Sequence, residues 1–397
     1  MRARLVCSLL LLAALQTACD SPESDAVVLW HAYRGDEARA LEETLDAYRA
    51  QPGATPIRVV SVPYDAFANK LRVAIPRGNG PDLFIFAHDQ VGDWAERGLI
   101  ESLSFWVDEP LLEQFLPETL SPFVFDDAFF GLPLAFKSLA LYFDTRFIKS
   151  APKTTDDLFA AADSVRAENP DVWGLGYPVD NFYYHAIWLH GHQGRVMSSA
   201  GQPQVETAAM KQSIDFARTL TRKTGMMPPE LSPALMTSLF NDHKLAFVIN
   251  GPWFRGEIGA HDSWSVAPIP AVSATGESAK PYLGVEGLMM SARSERKSAA
   301  FGIMRSLTSD EAAYVRWQRA RQLVANAGVY ARADVREDPF STAFRAQLTQ
   351  TVPLSNGPLM RHVWAPMKSA ITQSVVQGTA TDSALQEAGR AIKRVTR

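Results

Sequence analysis

Cysteine is nearly absent from the 397-residue chain, which holds only Cys7 and Cys19. Two thiols exclude a disulfide framework and a structural zinc cluster, so stability must come from packing. Cationic excess is missing too. The formal net charge is -4, which excludes a nucleic-acid binder held by phosphate neutralisation. Neither G-x-x-x-x-G-K-[ST] nor G-x-G-x-x-G occurs, and Gly174-Leu-Gly176 runs on into Tyr177-Pro178. H-E-x-x-H and G-x-S-x-G are also lacking. ATP hydrolysis, dinucleotide binding, zinc proteolysis and serine hydrolysis therefore have no support.

Long apolar runs are absent except at the start. Leu5 to Leu15 carries Ser8 as its one polar residue, behind Arg2 and Arg4. A helix over that run is about 16 Å long, roughly half a bilayer core, so residues 1–18 read as a secretory signal and not a spanning helix. Leu15-Gln16-Thr17-Ala18-Cys19 resembles a bacterial lipoprotein cleavage box, with Gln16 where an aliphatic residue is usual. Cys19 is then the lipid-attachment site, Asp20 resembles an inner-membrane retention signal, and residues 19–25 form a polar tether. The alternative is a non-lipid signal cut nearby, with Cys19 incidental. Either cut removes two arginines and no acidic residue, so the mature chain is more acidic.

What remains alternates. Residues 26–32, 56–62 and 82–87 read as strands, separated by helices from about Asp36 and from Tyr64 to Ile75. Further strands are expected at 130–135, 139–143, 245–250, 266–269, 283–285 and 288–290. Capping boxes are expected at Thr154 to Asp157 and Thr379 to Asp382. Continuous apolar strands between helices signal an α/β sheet covered on both faces. The length suits two domains. No polar linker divides them, so the chain is expected to cross between them at a hinge.

The histidines His185, His190 and His192 cluster, but no carboxylate stands at helical spacing, so packed or surface roles are favoured over a metal site. A glycoside hydrolase needs two carboxylates about 5–9.5 Å apart. With 43 acidic residues, some pair always looks suitable, and that signal has no specificity.

Five segments carry a more specific pattern, in order along the chain. They are Gly80 to Asp89 continuing through Trp94 to Ile100, Gly131 to Tyr142, Phe240 to Trp253, Tyr282 to Val285, and Met360 to Trp364. Together they resemble the maltose/maltodextrin-binding protein family, the extracellular solute-binding proteins of carbohydrate ABC importers. The resemblance implies a two-lobed periplasmic-binding-protein fold of α/β class, with a hinge crossed several times. Lobe one would comprise residues 25–136 and 268–322, and lobe two residues 137–267 and 323–397.

The family implies a site for a di- or oligosaccharide, maltose/maltodextrin-like or trehalose-like, between the lobes. A pyranose has apolar faces and a rim of hydroxyls, so it needs aromatic platforms with polar groups at their edges. By position, Trp253 and Trp364 match stacking aromatics, and Phe86 and Phe182 match two further aromatic positions. Asp89 matches a carboxylate that accepts sugar hydroxyls, and Asp180 stands where the family has a glutamate. Each has a structural alternative. Trp364 could anchor a helix, Phe86 divides between core and cleft, and Asp89 could cap the following helix. Within Asn181-Phe-Tyr-Tyr184 any of three aromatics could face the cleft.

Two positions depart from the maltose binder. Lys137 replaces a glutamate, exchanging an acceptor-only carboxylate for a donor-only ammonium and so inverting the hydrogen bonding offered to a sugar, and Gln90 replaces an arginine. Arg34 or Asp36 could add hydroxyl contacts. The resemblance further implies no catalysis, no cofactor and no nucleic acid. The protein would be a monomer on the periplasmic side of the cytoplasmic membrane or at the cell surface, lipid-anchored, delivering sugar to ABC permease transmembrane subunits. A sensor presenting the sugar to a membrane receptor is the alternative, and a glycoside hydrolase the remoter one.

Overall fold

Two β-sheets share the chain in a computed structural model that describes residues 26–223, 225–228, 231–259 and 262–396. The signal region, Cys19 and the tether lie outside the described residues. The first sheet begins with β1 (Val27–His31), β2 (Ile57–Ser61), β3 (Leu83–Ala87) and β4 (Gly131–Lys137). Ser138 and Leu139 lead into the second sheet, made of β5 (Ala140–Asp144), β6 (Trp173–Gly176), β7 (Leu245–Asn250) and β8 (Trp264–Ala267). The chain then returns to the first sheet with β9 (Tyr282–Met290) and β10 (Val352–Pro353).

β1 lies parallel to β2 and β3, while β9 runs antiparallel to β3 and β4 and parallel to β10. The second sheet has the order β8-β5-β7-β6. β3 is apolar throughout because both its faces are covered. Phe84 and Phe86 pack with Phe67 and Trp94 on one side, and Leu83 and Ile85 with Leu41, Leu45 and Leu288 on the other. β7 is buried at every position for the same reason.

Two apolar runs expected as separate strands are one. β9 spans Leu283–Val285 and Leu288–Met290, and its pairing with β4 shifts register between Glu286 and Gly287. A bulge thus sits where the apolar run is interrupted by a charge. The strand expected at 266–269 begins earlier, at Trp264.

The Thr154 capping box forms: Thr154 Oγ1 accepts from the Asp157 amide at 3.2 Å, and Asp157 Oδ2 accepts from the Thr154 amide at 3.0 Å. The box expected at Thr379 does not. The helix Thr381–Val395 has Ala380 at its cap with no side-chain bond, and Thr381 Oγ1 instead donates to Asp215 Oδ1 at 2.7 Å. That bond ties it to the helix Ala208–Arg222.

After β9 the chain keeps crossing. Leu323 and Ala325 hydrogen-bond to Phe136 and Leu134 of β4. The helix Pro339–Leu348 packs on β5 and β8. β10 then pairs with β9, and the helix Trp364–Ile371 joins a separate apolar core with Phe182, Ile214 and Ile392. His88 fastens one crossing: its Nδ1 accepts from the Val285 amide at 3.0 Å, and its Nε2–H donates to the Leu354 carbonyl at 2.8 Å. The two-lobed α/β architecture expected from the sequence is the one observed.

Candidate functional site

The carboxyl ends of β1 and β3 open onto a cavity of about 370 Å³, at the edge where ligands commonly meet parallel strands. Ala32 and Tyr33 follow β1, and β3 ends in Phe86 and Ala87. The helix Gly35–Arg49 supplies Glu37 from its first turn, and the helix Tyr64–Ala74 supplies its first residue, Tyr64. Lys137 closes the wall from the end of β4, with Gly284, Val285 and Glu286 from β9. Tyr183 and Trp253 face them from the side of the second sheet.

Trp253 is placed by a turn that fixes its backbone. Tyr142 donates to the Gly251 carbonyl at 2.9 Å, and Asn250 Oδ1 accepts from the Gly251 amide and from Tyr184 Oη, each at 2.9 Å. The indole folds back over Gly251 so closely that a Cβ there would lie 2.2 Å from its ring. Only glycine allows that approach. The result is a tryptophan 42% exposed beside the cavity. Opposite it, the Tyr64 ring stacks on Phe86 with centroids 4.9 Å apart, and Phe86 stacks in turn on Phe67 at 4.8 Å.

Charge is concentrated at one point of this apolar wall. Lys137 Nζ donates to Glu286 Oε1 at 2.8 Å and lies 4.0 Å from Glu37 Oε1. Burial works against the ammonium, yet the two carboxylates hold its pKa above the ordinary lysine value. Burial raises Glu37, against the pull of Lys137. Behind them lies the buried guanidinium of Arg316, lowered to about 10 by burial, whose Nη1 donates to the Leu307 carbonyl at 2.6 Å. The cavity thus offers aromatic faces together with carboxylate acceptors and an ammonium donor.

Of the residues singled out by sequence, Phe86, Lys137 and Trp253 come together here. Asp89, Gln90 and Trp364 line a smaller crevice of about 40 Å³ that shares no lining residue with the cavity. Gln90 Nε2 donates to Asp89 Oδ2 at 3.2 Å, and Asp89 Oδ1 is buried without a partner. Burial raises the Asp89 carboxyl, opposed by the neighbouring His88. Asp89 does not cap the next helix, Val91–Glu96, which starts without a side-chain cap.

Phe182 lies elsewhere than expected. It is buried in the core beneath Trp364, with ring centroids 6.0 Å apart, and its neighbour Tyr183 turns to the cavity. Asp180 pairs with Lys368 at 3.5 Å and lines neither space. Arg34 is exposed at the cap of the helix Gly35–Arg49 and also lines neither. His185 lies against Ser213 Oγ at 3.0 Å and His190 against the Lys280 carbonyl. Among the described residues no group of three or more histidines, cysteines or carboxylates is arranged to hold a metal.

Sequence reasoning missed Tyr33, Glu37, Tyr64 and Glu286. The signal for Glu286 was present: a lone carboxylate interrupting an apolar strand either has a partner or has a task. Tyr64 carried none, since an aromatic at the first turn of a helix is as common in cores as in clefts.

Residues 34–314 match the family model described as bacterial extracellular solute-binding protein. The chain is 25% identical over 360 residues to the maltotriose-binding protein of Pyrococcus abyssi, covering 88% of this chain and 77% of that one. It is 25% identical over 348 residues to the maltooligosaccharide ABC transporter solute-binding lipoprotein of Streptococcus pneumoniae, covering 84% and 81%. Among solved structures, a cyclo/maltodextrin-binding protein complexed with maltotetraose superimposes with a TM-score of 0.85 at 25% identity, covering 94% of this chain and 97% of that one.

Proposed function

Because the chain belongs to the bacterial extracellular solute-binding protein family, we propose that it is the carbohydrate-binding receptor of an ABC importer. A di- or oligosaccharide would lie in the cavity between the lobes, and the loaded protein would deliver it to the permease subunits. One observation carries this reading. Tyr64 on Phe86 faces Trp253 and Tyr183 across a space whose rim bears Lys137, Glu37 and Glu286. Flat apolar platforms with donors and acceptors beside them match a pyranose, whose faces are apolar and whose edges are hydroxyls. The relatives named for maltotriose and maltooligosaccharides support an α-glucan as the first ligand to test.

The site binds without catalysis in this reading. Trp364, Asp89 and Gln90 would contact sugar only after closure brings their crevice and the cavity together. Lobe one would hold residues 25–136 and 268–322, with the stretches at 323–325 and 352–353 added, a division supported by their hydrogen bonding to β4 and β9. Acylation of Cys19, supported by the lipoprotein name of the pneumococcal relative, would tether a monomer to the outer side of the cytoplasmic membrane. Calorimetric titration against a panel of mono- and oligosaccharides tests the reading. The expected result is a one-to-one complex that Trp253→Ala weakens strongly. Failure of every saccharide to bind would overturn it.

A further inference from the structure

The amino ends of β1 and β3 border another cavity, of about 440 Å³, at the edge of the first sheet opposite the sugar site. Val28 and Asp82 line it, with Arg58 beside Val28 in the pairing of β1 with β2 and Arg293 on the loop that follows β9. Arg58 and Arg293 are exposed, and among the described residues neither has a carboxylate partner. Asp82 has no oxygen to spare: Oδ2 accepts from the Val28 amide at 2.9 Å and Oδ1 from Ser294 Oγ at 2.7 Å. Glu295 is the other carboxylate of the wall.

Next to this cavity one aromatic ring is held out to solvent. The Glu101 amide donates to the Met290 carbonyl at 2.8 Å, beside Ser291 of the wall, and Lys297 Nζ donates to Glu101 Oε2 at 2.9 Å. Shortly after Glu101, Phe105 is fully exposed. The chain is pinned on either side of it: Ser104 Oγ accepts from the Phe129 amide at 3.1 Å, and Trp106 packs on Phe301 with ring centroids 5.4 Å apart. A fixed loop thus presents a phenyl ring that packs on nothing. Burying such a ring is favourable wherever an apolar phase meets it.

The attachment of the chain indicates which phase that is. β1 starts at Val27, beside the cavity wall, and seven residues, Cys19 to Asp25, separate the expected acylation site from Ala26. Fully extended, they reach about 25 Å at most. An acyl chain on Cys19 therefore keeps this edge of lobe one close to lipid. Guanidinium groups bind headgroup phosphates, and an aromatic ring enters the boundary between headgroups and acyl chains. Asp20, Glu23 and Asp25 bring three carboxylates to the same edge. The edge is thus no strong cationic patch, so ring insertion carries the contact and the arginines serve single phosphates.

We propose that this edge of lobe one is a docking surface for a phospholipid bilayer, with Phe105 as the inserted ring and Arg58 and Arg293 as phosphate ligands. The proposal rests on the reading of Cys19 as the lipid anchor and adds an orientation. The sugar cavity, at the carboxyl ends of the same strands, opens away from the lipid toward incoming solute.

The test places the anchored mature chain, carrying Phe105→Cys, in vesicles of phosphatidylethanolamine and phosphatidylglycerol. With Cys19 acylated and Cys7 removed with the signal, the new thiol alone takes an apolar, polarity-sensitive fluorophore in place of the ring. Its emission should shift to the blue and be quenched by nitroxide-labelled lipid. Arg58→Glu combined with Arg293→Glu should cut the quenching about fivefold. The same label at Asp171→Cys, exposed beside the second sheet, should show neither effect. Equal quenching at both positions, or quenching untouched by the arginine changes, would overturn the docking surface. A blue shift that follows protein concentration and not lipid would place a second copy on this ring and overturn it as well. Labelled fatty acid should enter the parent chain and be lost in Cys19→Ser. Its absence from the parent would overturn the anchor, and the docking surface with it.

Discussion

The Lys137 ammonium sits 2.8 Å from Oε1 of Glu286, and the two residues occupy diagonal positions on neighbouring antiparallel strands. Gly284, directly opposite Lys137, leaves room for the lysine to reach across. Replacing Lys137 with Met would leave Glu286 and Glu37 facing one another without their cation. A fully buried pair broken in this way costs about 3–5 kcal/mol, but the lysine side chain keeps 34% exposure. About 2 kcal/mol is the expected loss in urea unfolding at neutral pH. Adding Glu286→Gln should recover part of it. Strict additivity of the two changes would show that the pair is not coupled.

Thr154 and Thr379 begin similar-looking sequences, Thr-x-x-Asp, yet only the first caps a helix. Thr154→Ala should therefore cost about 1 kcal/mol, the usual worth of such a cap. Thr379→Ala should stay within about 0.5 kcal/mol of the parent. Chemical denaturation of both variants decides the matter, and similar losses would mean that the observed cap geometry does not control stability.

The contrast shows where sequence reading stops. Apolar runs such as Leu83 to Ala87 and Leu245 to Asn250 announce buried strands because nothing else tolerates them. A cap depends on where the chain arrives, and Thr381 arrives beside Asp215, a residue remote in sequence. The site divides in the same way. Trp253 was legible because Gly251-Pro252 ends a strand and turns the next side chain outward. Phe182 and Tyr183 were not separable, since adjacent residues on a helix point about 100° apart and only packing selects the buried one. Glu37 became a site residue only once β1, β4 and β9 were brought to one edge, whereas Glu286 already stood out as a carboxylate inside an apolar strand.

Tyr64 and Phe86 stack with ring centroids 4.9 Å apart but differ in exposure, at 51% and 6%. Their truncations should separate binding from folding. Phe86→Ala opens a hole in the cluster with Phe67 and Trp94 and should cost about 3–5 kcal/mol of stability. Tyr64→Ala removes an outer platform and should cost about 1 kcal/mol or less. Its sugar affinity should nevertheless fall about tenfold, the worth of a stacking contact. Paired urea unfolding and calorimetry would check this. Loss of stability without loss of affinity in Tyr64→Ala would place the tyrosine in the scaffold.

Burial holds several imidazoles neutral, His88 below its ordinary pKa and His185 and His190 down to about 3. An unfolded histidine takes its proton at about pH 6.5, whereas these take theirs only at lower pH in the fold. Below about pH 6.5 the unfolded state binds more protons, so stability is lost as the pH falls. Each such group contributes at most about 1.4 kcal/mol per pH unit. His185→Gln keeps a polar group toward Ser213, which lies 3.0 Å from the histidine Nε2, but removes the titrating site. The variant should be less stable than the parent at pH 7.5 through imperfect packing, yet lose stability less steeply between about pH 6.5 and pH 4.5. The other titrating groups, including the raised carboxyls of Glu37 and Asp89, are common to both proteins and cancel in the difference. Parallel pH profiles of the unfolding free energy would mean that His185 is not among the groups that make the fold acid-sensitive.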